Sequence, residues 1–246
     1  MSGHSKWSTI KHKKAATDAK RGKAFTRIAK EITIAARAGG DPNFNASLRL
    51  ILEKAKQANM PKDNIERAIK RGTGEIEGGD LQEILYEGYG PHAVGILIEC
   101  VTDNKNRAVS ELRHALGKNG GNMATSGSVS WQFTQKGYLS ITQAVDPDEF
   151  FMLAVEAGAD DVQFDEGIAE VYVEKDSFSA VRNALSDAGY AFEDASLIYE
   201  PNSPMDLGPD EAVQVMRLIE ILEELDDVQN VFSALTISDE AMEAMG

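Results

Sequence analysis

A glycine-rich segment at residues 73–80 divides the sequence into two parts that differ in charge and in hydrophobic pattern. Before it, apolar residues recur at helical spacing, whereas after it strand-like apolar runs alternate with helical patterns. Residues 1–73 carry 17 lysines and arginines against 6 acidic residues, a net charge of +11, and residues 74–246 carry 8 against 34, a net charge of −26. This asymmetry predicts several domains, with polyanion binding confined to the N-terminal one.

The N-terminal part is predicted to be a basic arm followed by three helices. Apolar periodicity indicates helices over residues 24–38 and 45–59. A third helix is expected to follow Pro61 and to stop at Gly72, because proline is favoured in a first helical turn and glycine at a helix end. We therefore assign residues 1–75 to a basic arm and three-helix domain.

The sequence after the linker is predicted to form strands and helices in a discontinuous arrangement. Strands are expected at residues 81–87 and 94–101, the second one central because it is almost continuously apolar. Residues 86–91 are interpreted as a turn, Asp103 as the cap of the next helix, and residues 129–133 as a further strand.

The order of elements from residue 138 to residue 199 is β-α-β-β-α-β, which is that of a ferredoxin-like unit. The fold class is therefore expected to be α+β with three domains, an N-terminal helical domain and two α+β domains. One α+β domain comprises residues 81–134 and 205–240, and the other, ferredoxin-like and inserted into it, comprises residues 137–201.

The basic part supplies the candidate nucleic-acid-binding residues. Clustered cations neutralise phosphates without reading base sequence, and the aromatic Trp7 could stack on an unpaired base. The candidates are His4, Lys6, Trp7, Lys11, His12, Lys13, Lys14, Lys20, Arg21, Lys23, Arg27, Lys30, Arg67, Lys70 and Arg71. The alternative interpretation is a solvated cationic surface, with the last-turn cations complementing a helix dipole.

A second candidate site is predicted where two loops meet at one end of the first α+β sheet. The loops at residues 88–93 and 119–127 are expected to converge there, whereas residues 103–107 should lie at the opposite end. Glycine-rich loops can hold anions, but they are also ordinary turns. The polar candidates are Tyr86, Tyr89, His92 and Asn122 at the convergent loops, together with Asn104 and Arg107 at the opposite end.

Enzymatic chemistry finds little support in the sequence. The four histidines lack metal-ligand spacing, and no phosphate-binding loop, dinucleotide fingerprint or nucleophile elbow is present. We therefore expect no catalytic residue, no metal and no cofactor. The competing hypothesis is a hydrolase that uses Glu87 and His92 on the convergent loops.

The remaining bulk features argue against membrane and secreted proteins. No apolar run reaches the length of about 18–20 residues that a membrane span requires, and the N-terminus lacks the apolar core of a signal peptide. The single cysteine, Cys100, excludes an intramolecular disulfide and suits a reducing compartment. We expect a cytoplasmic protein with no membrane partner, and we favour a monomer.

Several strings in the sequence resemble the YebC-type family over essentially the whole chain. They include Gly-His-Ser-Lys-Trp at residues 3–7, Ala-Ile-Lys-Arg-Gly at 68–72, Tyr-Glu-Gly-Tyr-Gly-Pro at 86–91, Asp-Asn-Lys-Asn-Arg at 103–107 and Gly-Gly-Asn at 120–122. The sequence departs from the family's usual pattern at His92, where glycine is usual, and at Met123-Ala124, where Leu-Gly is usual.

The resemblance implies a helical domain and two α+β domains around a cleft, and a role in regulating gene expression. Many members are described as DNA-binding transcriptional regulators of the bacterial cytoplasm. The mitochondrial relatives are translational activators of cytochrome c oxidase, and bacterial members have been tied to ribosomes stalled on proline-rich stretches. Because the chain starts directly at the family motif, with no transit peptide, we expect a bacterial cytoplasmic member.

Three hypotheses about partners therefore remain. The first is a DNA-binding transcriptional regulator, and the second is a translational activator that binds ribosomal RNA and the ribosome. The basic part has few side chains placed for groove readout, which favours RNA slightly. The third is an adaptor whose acidic residues dock a basic protein surface, with candidates Glu220, Glu223, Glu224, Asp226 and Asp227.

Overall fold

The computed structural model describes residues 18–165 and 167–245, which form two compact units. One unit consists of Trp131–Ser203. The other combines the described residues up to Ser130 with those from Pro204 onward. Helices and two antiparallel sheets are both present, so the predicted α+β class is confirmed.

The larger unit begins with three helices, close to where the periodicity predicted them. They are α1 (Asp18–Ala35), which a short 3-10 turn extends to Ala38, α2 (Ala46–Gln57) and α3 (Lys62–Gly72). Helix α1 packs against both of the others. The apolar core between them consists of Ile28, Ile32, Ala36, Leu48, Ala55, Met60 and Ala68.

The sheet of the larger unit is built from strands that are distant in sequence. Its elements are β1 (Gln82–Tyr89), β2 (Gly95–Thr102), α4 (Lys105–Lys118) and β3 (Asn122–Met123). The spatial order of the strands is β3-β1-β2-β8, where β8 (Val228–Ser233) comes from the C-terminal part of the chain. Strand β2 is central and almost wholly buried, as its apolar run predicted.

The C-terminal part of the chain completes this unit. It contributes α7 (Pro209–Glu223), β8 (Val228–Ser233) and α8 (Asp239–Met245). Helix α7 packs against α4 and buries Val215, Met216, Leu218 and Ile219. The strand that completes the first sheet therefore follows the smaller unit in the sequence.

The smaller unit has the predicted β-α-β-β-α-β order. Its elements are β4 (Phe133–Ile141), α5 (Pro147–Ala157), β5 (Asp161–Asp165), β6 (Ile168–Glu174), α6 (Phe178–Asp187) and β7 (Asp194–Pro201). The sheet order is β5-β6-β4-β7 with antiparallel neighbours. Asp146 caps α5 through the backbone N–H groups of Asp148 and Glu149, and Gly158 ends the helix with a φ of +104°.

Three local predictions were wrong. Residues 86–89 continue β1 rather than forming a turn, because Tyr89 still pairs with Gly95 across the sheet. Asn104, not Asp103, caps α4, since its side-chain oxygen accepts from the Arg107 N–H at 3.1 Å. The alternation of Val129, Trp131 and Phe133 does not mark a strand: residues 130–132 form a 3-10 turn, and β4 starts at Phe133.

Within residues 18–165 and 167–245, no helix has the length and apolar character that crossing a bilayer demands.

Candidate nucleic-acid interface

The predicted nucleic-acid-binding residues fall into three groups in the structure. Lys20 and Arg21 belong to the first turns of α1. Six more lie on two helices of the three-helix region: Lys23, Arg27 and Lys30 on α1, and Arg67, Lys70 and Arg71 on α3. The seven that lie outside the described residues are His4, Lys6, Trp7, Lys11, His12, Lys13 and Lys14.

The three cations of α3 form an exposed basic face. Arg67, Lys70 and Arg71 are spaced i, i+3 and i+4, so they project from the same side of the helix. All three are exposed, and none of them forms an ion pair with another described residue. Ala68 is buried against α1 on the opposite side. This face is therefore available to an anionic ligand.

An aromatic side chain that the sequence analysis missed projects from the loop between α1 and α2. Phe44 is 92% exposed, although it is a large apolar residue. The loop is held by the neighbouring Asn45, whose buried amide donates to the carbonyl oxygens of Ala35 at 2.8 Å and Gly39 at 2.7 Å. The Asn45 side-chain oxygen also caps α2 by accepting from the Leu48 N–H. Phe44 is therefore exposed on a loop that the hydrogen bonds of Asn45 hold in place.

This loop lies beside the C-terminal end of α3. A Cβ atom on Gly40 would come within 2.9 Å of the Thr73 side chain and 3.2 Å of the Ile69 side chain. Ile69 and Thr73 flank Lys70 and Arg71 in sequence. The fold therefore brings the loop that carries an exposed aromatic ring next to the helix end that carries two exposed cations.

Two candidate cations of α1, Lys23 and Lys30, have partners inside the molecule instead. The Lys30 ammonium donates to the carbonyl oxygens of Val101 at 2.9 Å and Asp226 at 2.8 Å, and to Asp227 Oδ1 at 2.9 Å. These three acceptors use all three of its N–H donors. Lys23 likewise donates to the carbonyl oxygen and the carboxylate of Glu224. Both lysines therefore hold α1 against the first sheet and its connections.

Asp227 is the centre of this contact, although the sequence grouped it with the acidic residues expected to dock a basic protein surface. Its carboxylate accepts from Lys30, from Arg107 Nη2 at 2.8 Å and from Thr102 Oγ1 at 2.9 Å, and the residue is only 3% exposed. Burial raises the pKa of Asp227, but the hydrogen bonds from Lys30, Arg107 and Thr102 outweigh it and leave the pKa below its usual value. Asp227 is therefore a buried, ionised carboxylate that joins α1, α4 and the sheet.

The same carboxylate affects a neighbouring thiol on β2. Burial, with the negative charges of Asp227 and Glu99, raises the pKa of Cys100 to about 12, although Lys30 opposes this effect. Cys100 is buried, in agreement with its predicted packing role. A thiol with this pKa stays protonated and unreactive at neutral pH.

The six residues of the second candidate site lie in separate places. Tyr89 and Asn122 are paired across β1 and β3, so the two loops do converge at one end of the sheet. His92 is near this end but contacts α7, with Nε2 3.3 Å from Gln214 Oε1. Asn104 and Arg107 lie at the opposite end, as expected, in the helix cap and the Asp227 cluster. Tyr86 lines a groove beside α4.

The hydrolase hypothesis relied on Glu87 and His92. The Glu87 carboxylate accepts from the backbone N–H groups of Gly127 at 2.7 Å, Val129 at 2.6 Å and Ser130 at 2.9 Å. Burial raises the pKa of Glu87, but these hydrogen bonds lower it below its ordinary value overall. An ionised carboxylate whose lone pairs are taken up by a loop backbone is a poor general base, so Glu87 has a structural role here.

A metal-binding site is also absent from the part of the chain that the structure describes. There, no group of three or more His, Cys, Asp or Glu side chains could hold a metal ion.

Comparisons with known proteins agree with this architecture. The model of the TACO1/YebC protein N-terminal domain matches residues 5–75, and that of the TACO1/YebC second and third domain matches residues 81–235. A probable transcriptional regulatory protein of Geobacter sulfurreducens is 52% identical over the whole of both chains. Another from Acidithiobacillus ferrooxidans is 54% identical over 98% of this chain and 97% of that protein.

A solved structure supports the same assignment. The crystal structure of a conserved hypothetical protein from Aquifex aeolicus has a TM-score of 0.84 and 42% sequence identity, covering 90% of this chain and 93% of that one. Both the sequence and the fold therefore place the chain in the TACO1/YebC family.

Proposed function

We propose that this protein regulates gene expression by binding nucleic acid through residues 1–75. The observation that carries the proposal is the segregation of charge, +11 in residues 1–73 against −26 in the rest of the chain. Such a basic region is self-repelling unless an anion is present, and the acidic remainder repels a polyanion. The relatives named as probable transcriptional regulatory proteins support a regulatory role.

The binding surface that we propose combines the α3 basic face with the ring of Phe44. Arg67, Lys70 and Arg71 would contact phosphates, and Phe44 would stack on a base that is not paired. Lys23 and Lys30 are not part of this surface, because their ammonium groups are engaged with Glu224 and Asp227. The basic arm, whose cations include Lys13 and Lys14, would extend the phosphate contacts.

Binding of ribosomal RNA and regulation of translation is the second candidate function. The specific observation in its favour is the exposed aromatic ring of Phe44, on the loop next to the α3 end that carries Lys70 and Arg71, because RNA is recognised largely at unpaired, stackable bases. Helix α3 contains a single amide side chain, Asn64, and it is half-buried. A helix that reads base edges in a DNA groove needs several such groups on its exposed face.

The salt dependence of binding tests this proposal. We would measure the affinity of the full chain for single-stranded RNA, structured RNA and duplex DNA by fluorescence anisotropy at several salt concentrations. Replacing Lys70 and Arg71 by glutamate should weaken binding to every ligand and make the slope of log K against log salt shallower by about 2, since two phosphate contacts are lost. Phe44→Ala should weaken binding to unpaired RNA by roughly tenfold or more and leave duplex DNA unaffected.

A matched control carries the same change of charge elsewhere. The double variant Lys118→Glu/Lys175→Glu alters two exposed lysines outside the three-helix region. It should bind as the wild type does. Equal losses of affinity in both double variants would mean that the effect comes only from the protein's net charge. An unchanged affinity in the Lys70/Arg71 variant would mean that α3 is not part of the interface.

A further inference from the structure

Strand β1 has an edge that the fold leaves largely unpaired. Its neighbour on that side, β3, is only two residues long and pairs with Gly88 and Tyr89. The Ala124 N–H adds a bond to the Glu87 carbonyl oxygen at 2.8 Å, which shows that the backbone groups of Glu87 face this edge. Backbone groups alternate in direction along a strand, so those of Leu85 and Glu83 face the same edge.

These groups have no partner among the described residues. The β1–β2 ladder uses the backbone groups that face the other way, and no hydrogen bond from any other described residue reaches the backbone of Glu83 or Leu85. Leu85 is half-buried and Glu83 is exposed. An open edge of this kind is a template for one more strand.

A groove of about 520 Å³ lies along this part of β1. Strand β1 contributes Ile84 and Tyr86, and α4 contributes Lys105, Val109 and Arg113, which are spaced i, i+4 and i+8 along one side of the helix. Asn106 and Ser110 complete the lining, so the groove combines apolar and polar groups, and its helical wall carries one cation on each side of Val109. A strand edge beside a helix is the geometry with which several domains bind extended peptides.

The charge of the groove indicates the chemistry of its occupant. Residues 74–246 contain only 8 lysines and arginines among 34 acidic residues, and two of these cations line the groove. Neither Lys105 nor Arg113 forms an ion pair with a described side chain. An occupant with acidic groups is favoured, whereas a nucleic acid lacks the backbone N–H groups that would pair with a strand edge.

The spacing of the two cations sets the pattern of the peptide. Eight residues of helix separate Lys105 from Arg113, a rise of about 12 Å. Two residues that are four apart in an extended chain face the same side and lie about 13 Å from each other. An acidic residue, an apolar one and a second acidic one at alternate positions would thus meet Lys105, Val109 and Arg113.

We propose that an extended acidic segment of a partner protein binds here by adding a strand to the edge of β1 at Glu83–Leu85, with its acidic side chains on Lys105 and Arg113. This surface is independent of the nucleic-acid interface, because it belongs to the acidic part of the chain. It would let the protein hold a nucleic acid and a protein partner at the same time.

The test is a titration of the isotopically labelled full chain followed by NMR. The probe is acetyl-Thr-Glu-Thr-Val-Thr-Glu-Thr-amide, and its control has lysine in place of both glutamates. The acidic peptide should shift the amide signals of Glu83, Leu85 and the α4 residues of the groove, and the basic peptide should not. Lys105→Glu/Arg113→Glu should weaken the acidic peptide at least tenfold, whereas Lys118→Glu/Lys175→Glu should leave its binding unchanged.

Backbone methylation separates strand addition from simple anion binding. Two further acidic peptides are N-methylated, one at the Thr positions and the other at the Glu and Val positions. Only one set of peptide N–H groups faces β1 in an added strand, so one of these peptides should bind and the other should not. The proposal would be overturned if both methylated peptides bound equally well. It would also be overturned if oligothymidylate produced the shifts and the acidic peptide did not, or if millimolar acidic peptide produced no shifts at Glu83 and Leu85.

Discussion

At the scale of single residues, the most consequential side chain is a carboxylate that is almost fully buried. Asp227 is approached by the ammonium of Lys30, the guanidinium of Arg107 and the hydroxyl of Thr102. Opposite charges and hydrogen bonds compensate the cost of burying an ion only when every partner is in place. Removing the negative charge leaves Lys30, whose side chain is 16% exposed, without its anion.

We predict that Asp227→Asn lowers the free energy of unfolding by about 3 kcal/mol at pH 7. The pKa of Asp227 is depressed in the folded protein, so its contribution is fully present above the unfolded pKa of about 4 and is lost as the pH falls through the folded pKa. The difference between variant and wild type should therefore shrink below about pH 4. Urea denaturation at a series of pH values measures it.

Asp226→Asn is the matched control for this prediction. Asp226 is exposed, and only its backbone oxygen meets Lys30. The substitution should change the free energy of unfolding by less than about 0.5 kcal/mol. If the two variants were equally stable at pH 7, the Asp227 cluster would not hold α1 to the sheet as described.

His92 is a second residue whose conformation makes a prediction. Its φ is +59°, a left-handed value that favours glycine, and the imidazole contacts Gln214 of α7. Both His92→Gly and His92→Ala remove that contact, so the difference between their free energies of unfolding reports the cost of the backbone conformation. We expect the glycine variant to be more stable than the alanine variant by about 1 kcal/mol, measured by urea denaturation.

The same pair of substitutions at His114 should give a stability difference of the opposite sign, with the alanine variant more stable than the glycine variant. His114 is exposed in the regular helix α4, where glycine is less favourable than alanine by about 1 kcal/mol. A glycine variant at position 92 that was less stable than its alanine counterpart would contradict the strained conformation of this loop.

At the scale of elements, the contact between α1 and α3 depends on the absence of a side chain. A Cβ atom on Gly72 would lie 2.3 Å from the carbonyl oxygen of Thr33 and 2.6 Å from the Cβ of Ala36. The Thr33 hydroxyl oxygen also lies 3.2 Å from the Ala68 carbonyl oxygen across the same contact. The backbones of the two helices therefore approach each other closely at the C-terminal end of α3, which carries Lys70 and Arg71.

We predict that Gly72→Ala lowers the free energy of unfolding by about 2–3 kcal/mol, because backbone rather than a movable side chain would have to shift. Gly117→Ala, on helix α4, is the control, since a Cβ atom at this position would meet no neighbouring atom within 4 Å. It should stabilise the protein by about 0.5–1 kcal/mol. Urea denaturation of both variants checks the pair, and a neutral Gly72→Ala would show that α1 and α3 pack less closely.

The elements that the sequence predicted best are those defined by a long, regular pattern. Helices α2 and α3 were predicted to within two residues, because Asn45 and Pro61 mark their starts and the apolar spacing defines their buried sides. The predicted strand at residues 129–133 failed because alternation cannot distinguish a strand from a loop. Val129 is buried beside the Glu87 contact, whereas Trp131 is 71% exposed.

The contacts that define the candidate site could not be predicted from local patterns. Lys30 belongs to a basic run and Asp227 to an acidic pair, and both looked like surface charge in the sequence. Their contact joins residues 197 positions apart, so only the closed topology reveals it. Phe44 was missed for the opposite reason, because one aromatic residue in a turn gives no sign of whether the fold covers it.

At the scale of the whole molecule, charge and topology separate two kinds of surface. The basic N-terminal part carries the proposed nucleic-acid interface on α3 and the Phe44 loop, and this interface does not include the lysines that attach α1 to the sheet. The acidic part carries the open edge of β1. We therefore expect nucleic-acid binding to be lost by changes at Lys70 and Arg71 without loss of stability, and stability to be lost by changes at Asp227.

The most direct test of the central claim is ultraviolet crosslinking of the full chain in cells, with sequencing of the attached RNA and DNA and mass spectrometry of the crosslinked peptides. We expect crosslinks within residues 1–75, Phe44 among them, and reads at defined sites that are lost in Lys70→Glu/Arg71→Glu. Reads at ribosomal RNA would select the translational role, and reads at a few promoters the transcriptional one. Crosslinks confined to residues 81–240, or reads at background level that the double variant leaves unchanged, would contradict nucleic-acid binding by the basic part.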